Sequence, residues 1–271
     1  MAVLEANFFS SCLKRTVTMM VILPVDKFSS YDEGLGKVKP FKTIYLLHGL
    51  LGDHRDWLDN GAIRRLAEDH DLAVIMPSGE NAFYVDSSGF GHDYGEFIGK
   101  ELVQMSRRMF PLSHKREDTF IAGLSMGGYG AVRNGFKYLK TFSYIGSFSG
   151  ALHFFETARE SPFGASDSYI DRKKAEKSDL NPKVCLDKLL KSAKGDKSLY
   201  PHVYLSCGEE DDLMEANVIY RDYLKQKGID VKWHTMPGGH EWDVWRAEIR
   251  NFIDFLPLGQ AKAGIGSGNV K

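Results

Sequence analysis

Short apolar runs recur along the chain at 16–23 (TVTMMVIL), 43–47 (TIYLL), 72–77 (LAVIMP), 119–123 (TFIAG), 144–150 (YIGSFSG), 202–207 (HVYLSC) and 231–236 (VKWHTM). Their length and nearly continuous apolarity predict strands covered on both faces. The segments between them change period. Ile98, Leu102, Met105 and Met109 step by four, three and four, and Trp242, Trp245, Ile249, Phe252 and Leu256 by three, four, three and four. Each set predicts one core-facing stripe of a helix. In NVIYRDYLKQKG a helical stripe ends at Gly228, a residue type suited to the left-handed turn beyond a helix. Strand and helix alternate, and parallel neighbours need long crossovers, so the expected class is α/β: a mostly parallel sheet with helices on both faces. The runs near 4–9 and 16–23 leave no room for a helix between them and predict an antiparallel pair at the N-terminal edge.

With 271 residues, 43% of them hydrophobic, the chain can bury one large core, expected over 1–258. From about 151 to 200 the period weakens around SPFGASDS, which reads as a cap or insertion over the strand ends. The glycine-rich GQAKAGIGSGNVK, 259–271, reads as a disordered tail. Lysine plus arginine number 35 against 36 acidic residues, a net charge of -1. No long-range field draws nucleic acid or an anionic membrane, and the basic run DRKKAEK mixes signs as a solvated face does. Cys12, Cys185 and Cys207 have no zinc or redox spacing, which fits a reducing compartment. Glu5 precedes any stretch of signal-peptide length and MMVILPV is too short to span a bilayer, so the expected location is cytoplasmic, without membrane association.

The chemistry enters at Gly123-Leu124-Ser125-Met126-Gly127, a G-x-S-x-G set between an apolar strand and a helix of small residues. Glycines beside such a bend remove side chains that would collide there, and the serine is pushed outward at a helix N-terminus that favours a developing oxyanion. A serine hydroxyl is a weak nucleophile at neutral pH and needs a base and an orienting acid. Of the nine histidines, His234 falls inside a strand, whereas His240 follows it in PGGHEW and is the better base. Asp211 in CGEEDDL lies one turn past a strand and is the first choice of acid, with Glu210 and Asp212 as alternatives. That cluster lacks the alternating carboxylates of a calcium loop, and no metal is expected. An oxyanion hole would pair the Met126 amide with that of Leu50, or failing that Leu51, in LLHGLLGDHRDW. His48 there is expected to be a buried turn residue bonding the backbone, with Asp53 and His54 on the loop surface. Phe83, Tyr84 and Trp242 are candidates for a substrate pocket and equally for core packing.

Taken together, LLHGLLGDHRDW, GLSMGGYGA, CGEEDDL and GGHEWDVW resemble the Putative esterase family of α/β-hydrolases over nearly the whole chain, to about Leu258. That family includes tributyrin esterases, esterase D (S-formylglutathione hydrolase), feruloyl and acetyl-xylan esterases and mycolyltransferases. The opening NFFSSCLKRTVTMMVILP is similar to intracellular tributyrin-esterase-like members. The resemblance implies a Ser125, Asp211 and His240 triad, oxyanion amides at Leu50 and Met126, and hydrolysis of short-chain acyl esters through an acyl-enzyme. It implies no cofactor, a small-molecule ester as partner, and assembly as a homodimer or homotetramer. S-formylglutathione hydrolases carry a cysteine in the loop that here reads HGLLGDH, which makes that substrate the lesser expectation. The alternatives are such a thioesterase, or an intracellular esterase that deacylates acetylated or feruloylated sugars.

Overall fold

The computed structural model describes residues 1–27, 38–153 and 175–259. Eight strands form one sheet: β1 Ala2–Ser10, β2 Arg15–Leu23, β3 Lys42–Leu47, β4 Leu72–Pro77, β5 Thr119–Leu124, β6 Tyr144–Phe148, β7 His202–Gly208 and β8 Val231–Met236. Their spatial order is β1-β2-β4-β3-β5-β6-β7-β8. The β1–β2 and β2–β4 pairs are antiparallel and all others parallel. The N-terminal hairpin is therefore the edge expected from its short connection. The helices are α1 Asp56–Asn60, α2 Ile63–Asp69, α3 Tyr94–Glu96, α4 Leu102–Met109, α5 Met126–Lys137, α6 Pro182–Ala193, α7 Met214–Gln226 and α8 Trp242–Phe255.

Strand alternation divides the core. Tyr45, Leu47, Ile121, Ile145, Val203 and Leu205 face one side and pack with residues of α4, α5, α6 and α7. Ile44, Leu46, Phe120, Ala122, Phe148 and Tyr204 face the other and pack with α2 and α8. Both faces are dry, which explains why the strands read as continuous apolar runs. Sheet order also marks the end of the molecule suited to a ligand. Because β3 lies between β4 and β5, chain direction through the sheet reverses there, and in open α/β sheets ligands bind at the strand C-termini beside such a switch.

The structure corrects two expectations. The predicted stripe of Ile98, Leu102, Met105 and Met109 holds only at its start, since Met109 is 39% exposed while Val103 and Ser106 are buried. A π-helical turn over Phe97–Glu101 joins α3 to α4, and its wider winding rotates all later positions off a simple 3.6 period. The strand expected over 144–150 ends at Phe148, because Ser149 turns left-handed with φ 49°. The weakly periodic 151–200 contains α6, which starts from the Asn181 side chain accepting the Lys183 amide at 2.9 Å, with Pro182 in its first turn. The rest of the proposed cap, 154–174, and the tail from 260 lie outside the described residues. Among the described residues no helix is long and apolar enough to cross a membrane.

Candidate active site

Ser125 stands between the end of β5 and the start of α5 with φ 51° and ψ -116°, a backbone state that costs a non-glycine residue about 1–3 kcal/mol. Neighbouring strands hold it there. Its amide donates to Phe148 O at 2.9 Å, and its carbonyl accepts from the Ala151 amide at 3.1 Å. Gly127 shows why the flanking residues are small: a Cβ there would sit 2.4 Å from Leu47 O and 2.6 Å from His48 O. Helix α5 thus begins directly on the end of β3, with the Ser125 hydroxyl at the rim of the sheet.

His240 lies in the loop between β8 and α8, and its Nε2 is 3.0 Å from Ser125 Oγ. On the other side of the ring, Nδ1 is 2.9 Å from Asp211 Oδ2. Asp211 follows β7, and its Oδ1 accepts the Leu213 amide at 2.9 Å. The Asp211 side chain is fully buried. Burial pushes its carboxyl upward, but hydrogen bonds from His240, Ser149 and the Leu213 amide outweigh this and hold it below the usual carboxylate range. The two alternatives do other things. Glu210 accepts the Gly238 amide and so braces the histidine loop, and Asp212 is exposed. The loops after β7 and β8 cross so closely that a Cβ on Gly208 would meet Gly238 O at 2.2 Å. The His240 ring also rests edge-on against Trp245, centroids 5.0 Å apart. His234 is directed elsewhere, with Nδ1 2.7 Å from the buried Glu248.

The loop after β3 lies beside the serine, since a Cβ on Gly49 would stand 3.6 Å from Ser125 Cβ. Its two candidate amides differ. That of Leu51 donates to Asn81 Oδ1 at 2.8 Å, whereas those of Leu50 and Met126 carry no hydrogen bond among the described residues. His48 holds the turn from beneath. It is 1% exposed, its Nε2 accepts the Gly79 amide at 2.8 Å and its Nδ1 reaches Gly49 O at 2.7 Å. Because an amide only donates, this ring is the Nδ1–H tautomer, and burial pushes its pKa down from 6.5. Asp53 is exposed and accepts the Arg55 amide, while His54 is half-buried and faces Glu5 at 3.5 Å. Among the described residues no group of three His, Cys, Asp or Glu side chains is placed to hold a metal ion.

The three aromatic pocket candidates differ in place. Tyr84 is fully buried, and its hydroxyl donates to His48 O at 3.0 Å, which makes it a support of the turn and not part of an open pocket wall. Phe83 is 5% exposed and packs edge-on against Tyr129, 5.9 Å between centroids. Trp242 is half-buried between Trp57 and Trp245, at 5.2 and 5.3 Å, under the histidine loop. Two residues at the site have no local signature in the sequence. Asn81 is one polar residue of a loop, and Ser149 is one of several small residues ending β6; each is found only through its partner on another segment.

A mostly parallel sheet of this order, with a serine on the sharp turn from β5 to α5, defines an α/β-hydrolase. The profile of the Putative esterase family matches residues 10–255: the chain belongs to that family and is a carboxylic ester hydrolase. An acetyl esterase of Caldicellulosiruptor saccharolyticus is 39% identical over 262 residues, covering 94% of this chain and 98% of its own. Among solved structures, the S-formylglutathione hydrolase FrmB of Staphylococcus aureus superposes with a TM-score of 0.80 at 28% identity, covering 94% of this chain and 98% of the other. FphF, a fluorophosphonate-binding serine hydrolase of the same organism, gives 0.77 at 30% identity with the same coverage.

Proposed function

We propose that the chain is a serine esterase of short-chain acyl esters, acetyl esters foremost, acting through an acyl-enzyme on Ser125. The observation that carries this reading is the run of two contacts through one imidazole, 3.0 Å to Ser125 Oγ and 2.9 Å to Asp211 Oδ2. Ser125 Oγ attacks the ester carbonyl carbon while His240 Nε2 takes its proton. Asp211 keeps the imidazole in its Nδ1–H tautomer and stabilises the imidazolium. The carbonyl oxygen, now negative, accepts hydrogen bonds from the Leu50 and Met126 amides, each worth about 3 kcal/mol at the transition state. Collapse breaks the bond to the alcohol, which leaves with the proton from His240. Water then repeats the sequence on the acyl-enzyme: His240 takes a proton from it, the second tetrahedral intermediate collapses, and Ser125 recovers its proton as the acid departs.

The name of the relative at 39% identity supports acetyl as the acyl group. The likeness to FrmB favours a second reading, a formyl thioester of glutathione, against which stands the absence of a cysteine from HGLLGDH. Free Cys12, Cys185 and Cys207 support a cytoplasmic site of action. The test is Ser125→Ala assayed on 4-nitrophenyl acetate. A kcat loss of about 10⁴-fold or more with unaltered circular dichroism is expected, and retained turnover removes the serine from the mechanism. Comparing kcat/KM for acetylated sugars with that for S-formylglutathione separates the two substrate readings.

A further inference from the structure

Behind the line of Ser125, His240 and Asp211, two backbone contacts lead to one buried side chain. The Ser125 carbonyl accepts the Ala151 amide at 3.1 Å, from the loop after β6. Asp211 Oδ1 accepts the Leu213 amide at 2.9 Å, from the loop after β7. Asn217, near the start of α7, touches both loops: its Nδ2 donates to Gly150 O at 2.9 Å and to Leu213 O at 2.9 Å. The residue is fully buried. Both partners are carbonyl oxygens, which only accept, so the amide nitrogen and not its oxygen faces them, and its two protons serve one carbonyl each.

The bond to Gly150 bears directly on the nucleophile. Gly150 O and the Ala151 N–H are the two ends of one planar trans peptide group, so they point in opposite directions. Asn217 holds the oxygen end and the Ser125 carbonyl the hydrogen end, which fixes the rotation of that peptide from both sides. Satisfaction of the carbonyls does not explain Asn217. Gly150 O already accepts the Leu152 amide at 2.8 Å, and Leu213 O already accepts the backbone amide of Asn217 at 3.0 Å. Asn217 Oδ1, moreover, has no hydrogen-bond partner among the described residues, a cost in stability that an apolar side chain avoids. What the side-chain amide adds is a tie between segments 67 residues apart in the chain.

We propose that Asn217 is a positioning residue of the esterase site: its buried amide locks the peptide that holds the Ser125 carbonyl to the residue that holds the Asp211 carboxylate, and so sets the gap that the His240 ring spans. That gap has little slack. The imidazole is rigid and meets Ser125 Oγ at 3.0 Å and Asp211 Oδ2 at 2.9 Å, so a shift of about 1 Å in either loop takes one contact out of hydrogen-bond range.

The inference rests on the Ser125–His240–Asp211 reading, which Ser125→Ala tests separately. Two variants break the tie in different ways. Asn217→Leu keeps the branched shape and removes every donor. Asn217→Ser keeps a hydroxyl able to donate to Leu213 O, four residues back on the helix, but is too short to hold Gly150 O. On 4-nitrophenyl acetate both are expected to lose about ten- to a hundredfold in kcat with KM within about twofold of wild type. Hydrogen exchange at the Ala151 amide should quicken in both. Wild-type kcat in either variant overturns the proposal. So does a loss that follows thermal stability, present only in the variant with the lower melting temperature. Should neither variant fold, the wild-type protein still decides: both side-chain amide protons of Asn217 are expected to exchange slowly by nuclear magnetic resonance, and rapid exchange overturns the tie. If Ser125→Ala is inactive and both Asn217 variants match wild type, the triad reading stands and only this inference falls.

Discussion

The Leu51 amide donates to Asn81 Oδ1 at 2.8 Å, tying the loop after β3 to the loop after β4. Leu51 is held at φ 66° with its side chain turned outward, 69% exposed. The bond consumes one of the two amides that could have faced Ser125 and fixes the peptide beside the other, that of Leu50. Asn81→Ala is expected to lower kcat on 4-nitrophenyl acetate about tenfold through a loosened oxyanion donor. Because the bond is solvent-exposed, the melting temperature should change by only about 1–2 °C. Steady-state kinetics beside a thermal melt check this, and an unchanged kcat would free the Leu50 amide from Asn81.

Backbone strain at Ser125 makes a second prediction. Neither alanine nor glycine carries the hydroxyl, so both variants should be inactive, but only glycine adopts φ 51° without cost. Ser125→Gly is therefore expected to melt about 2 °C above Ser125→Ala, equivalent to about 1 kcal/mol in a chain of this size. Calorimetry of the pair measures the difference directly.

His48 contributes a pH dependence of definite sign. Burial lowers its pKa in the folded state below the 6.5 of the free side chain. Below pH 6.5 the unfolded chain takes up a proton that the folded one refuses. The stability present above that pH is therefore lost as pH falls toward the folded-state value, at up to about 1.4 kcal/mol per pH unit for this group. Proton resonances of the His48 ring should stay those of a neutral imidazole to a lower pH than those of free histidine. Titration at the ordinary value would contradict the buried Nδ1–H assignment.

The three thiols should be unreactive while the chain is folded. Burial, with help from Glu101, pushes Cys12 up to about 12, and burial pushes Cys185 to about 11 and Cys207 to about 12. Since the thiolate is the reacting form, Ellman's reagent at pH 8 should react about a hundredfold or more slowly with folded protein than with chain unfolded in urea. Fast reaction of one folded equivalent would place a reactive thiolate in the structure.

Local pattern in the chain is enough for the strands, the antiparallel edge, the α8 stripe and the turn at Ser125. Each depends on residues within a few positions of one another: the period of apolar side chains, or glycines either side of a bend. The α4 stripe misleads because one π-helical turn changes the winding, and nothing in FIGKE announces it. Helix α6 escapes a reading by period because its stripe is short and its N-cap, Asn181, resembles ordinary loop composition.

By itself, then, the sequence determined the alternation that makes an α/β sheet, the identity of the hydroxyl at the β5 turn, and a short set of acids, bases and amides to serve it. Tertiary structure alone decided which of them meet: Asp211, and not Glu210 or Asp212, lies against the His240 ring, and Asn81 takes the Leu51 amide and leaves that of Leu50 open. The physical reason is that a hydrogen bond is chosen by distance and direction in space. Strand order brings together loops that the chain separates by tens of residues, and their partners become knowable only once the sheet has closed.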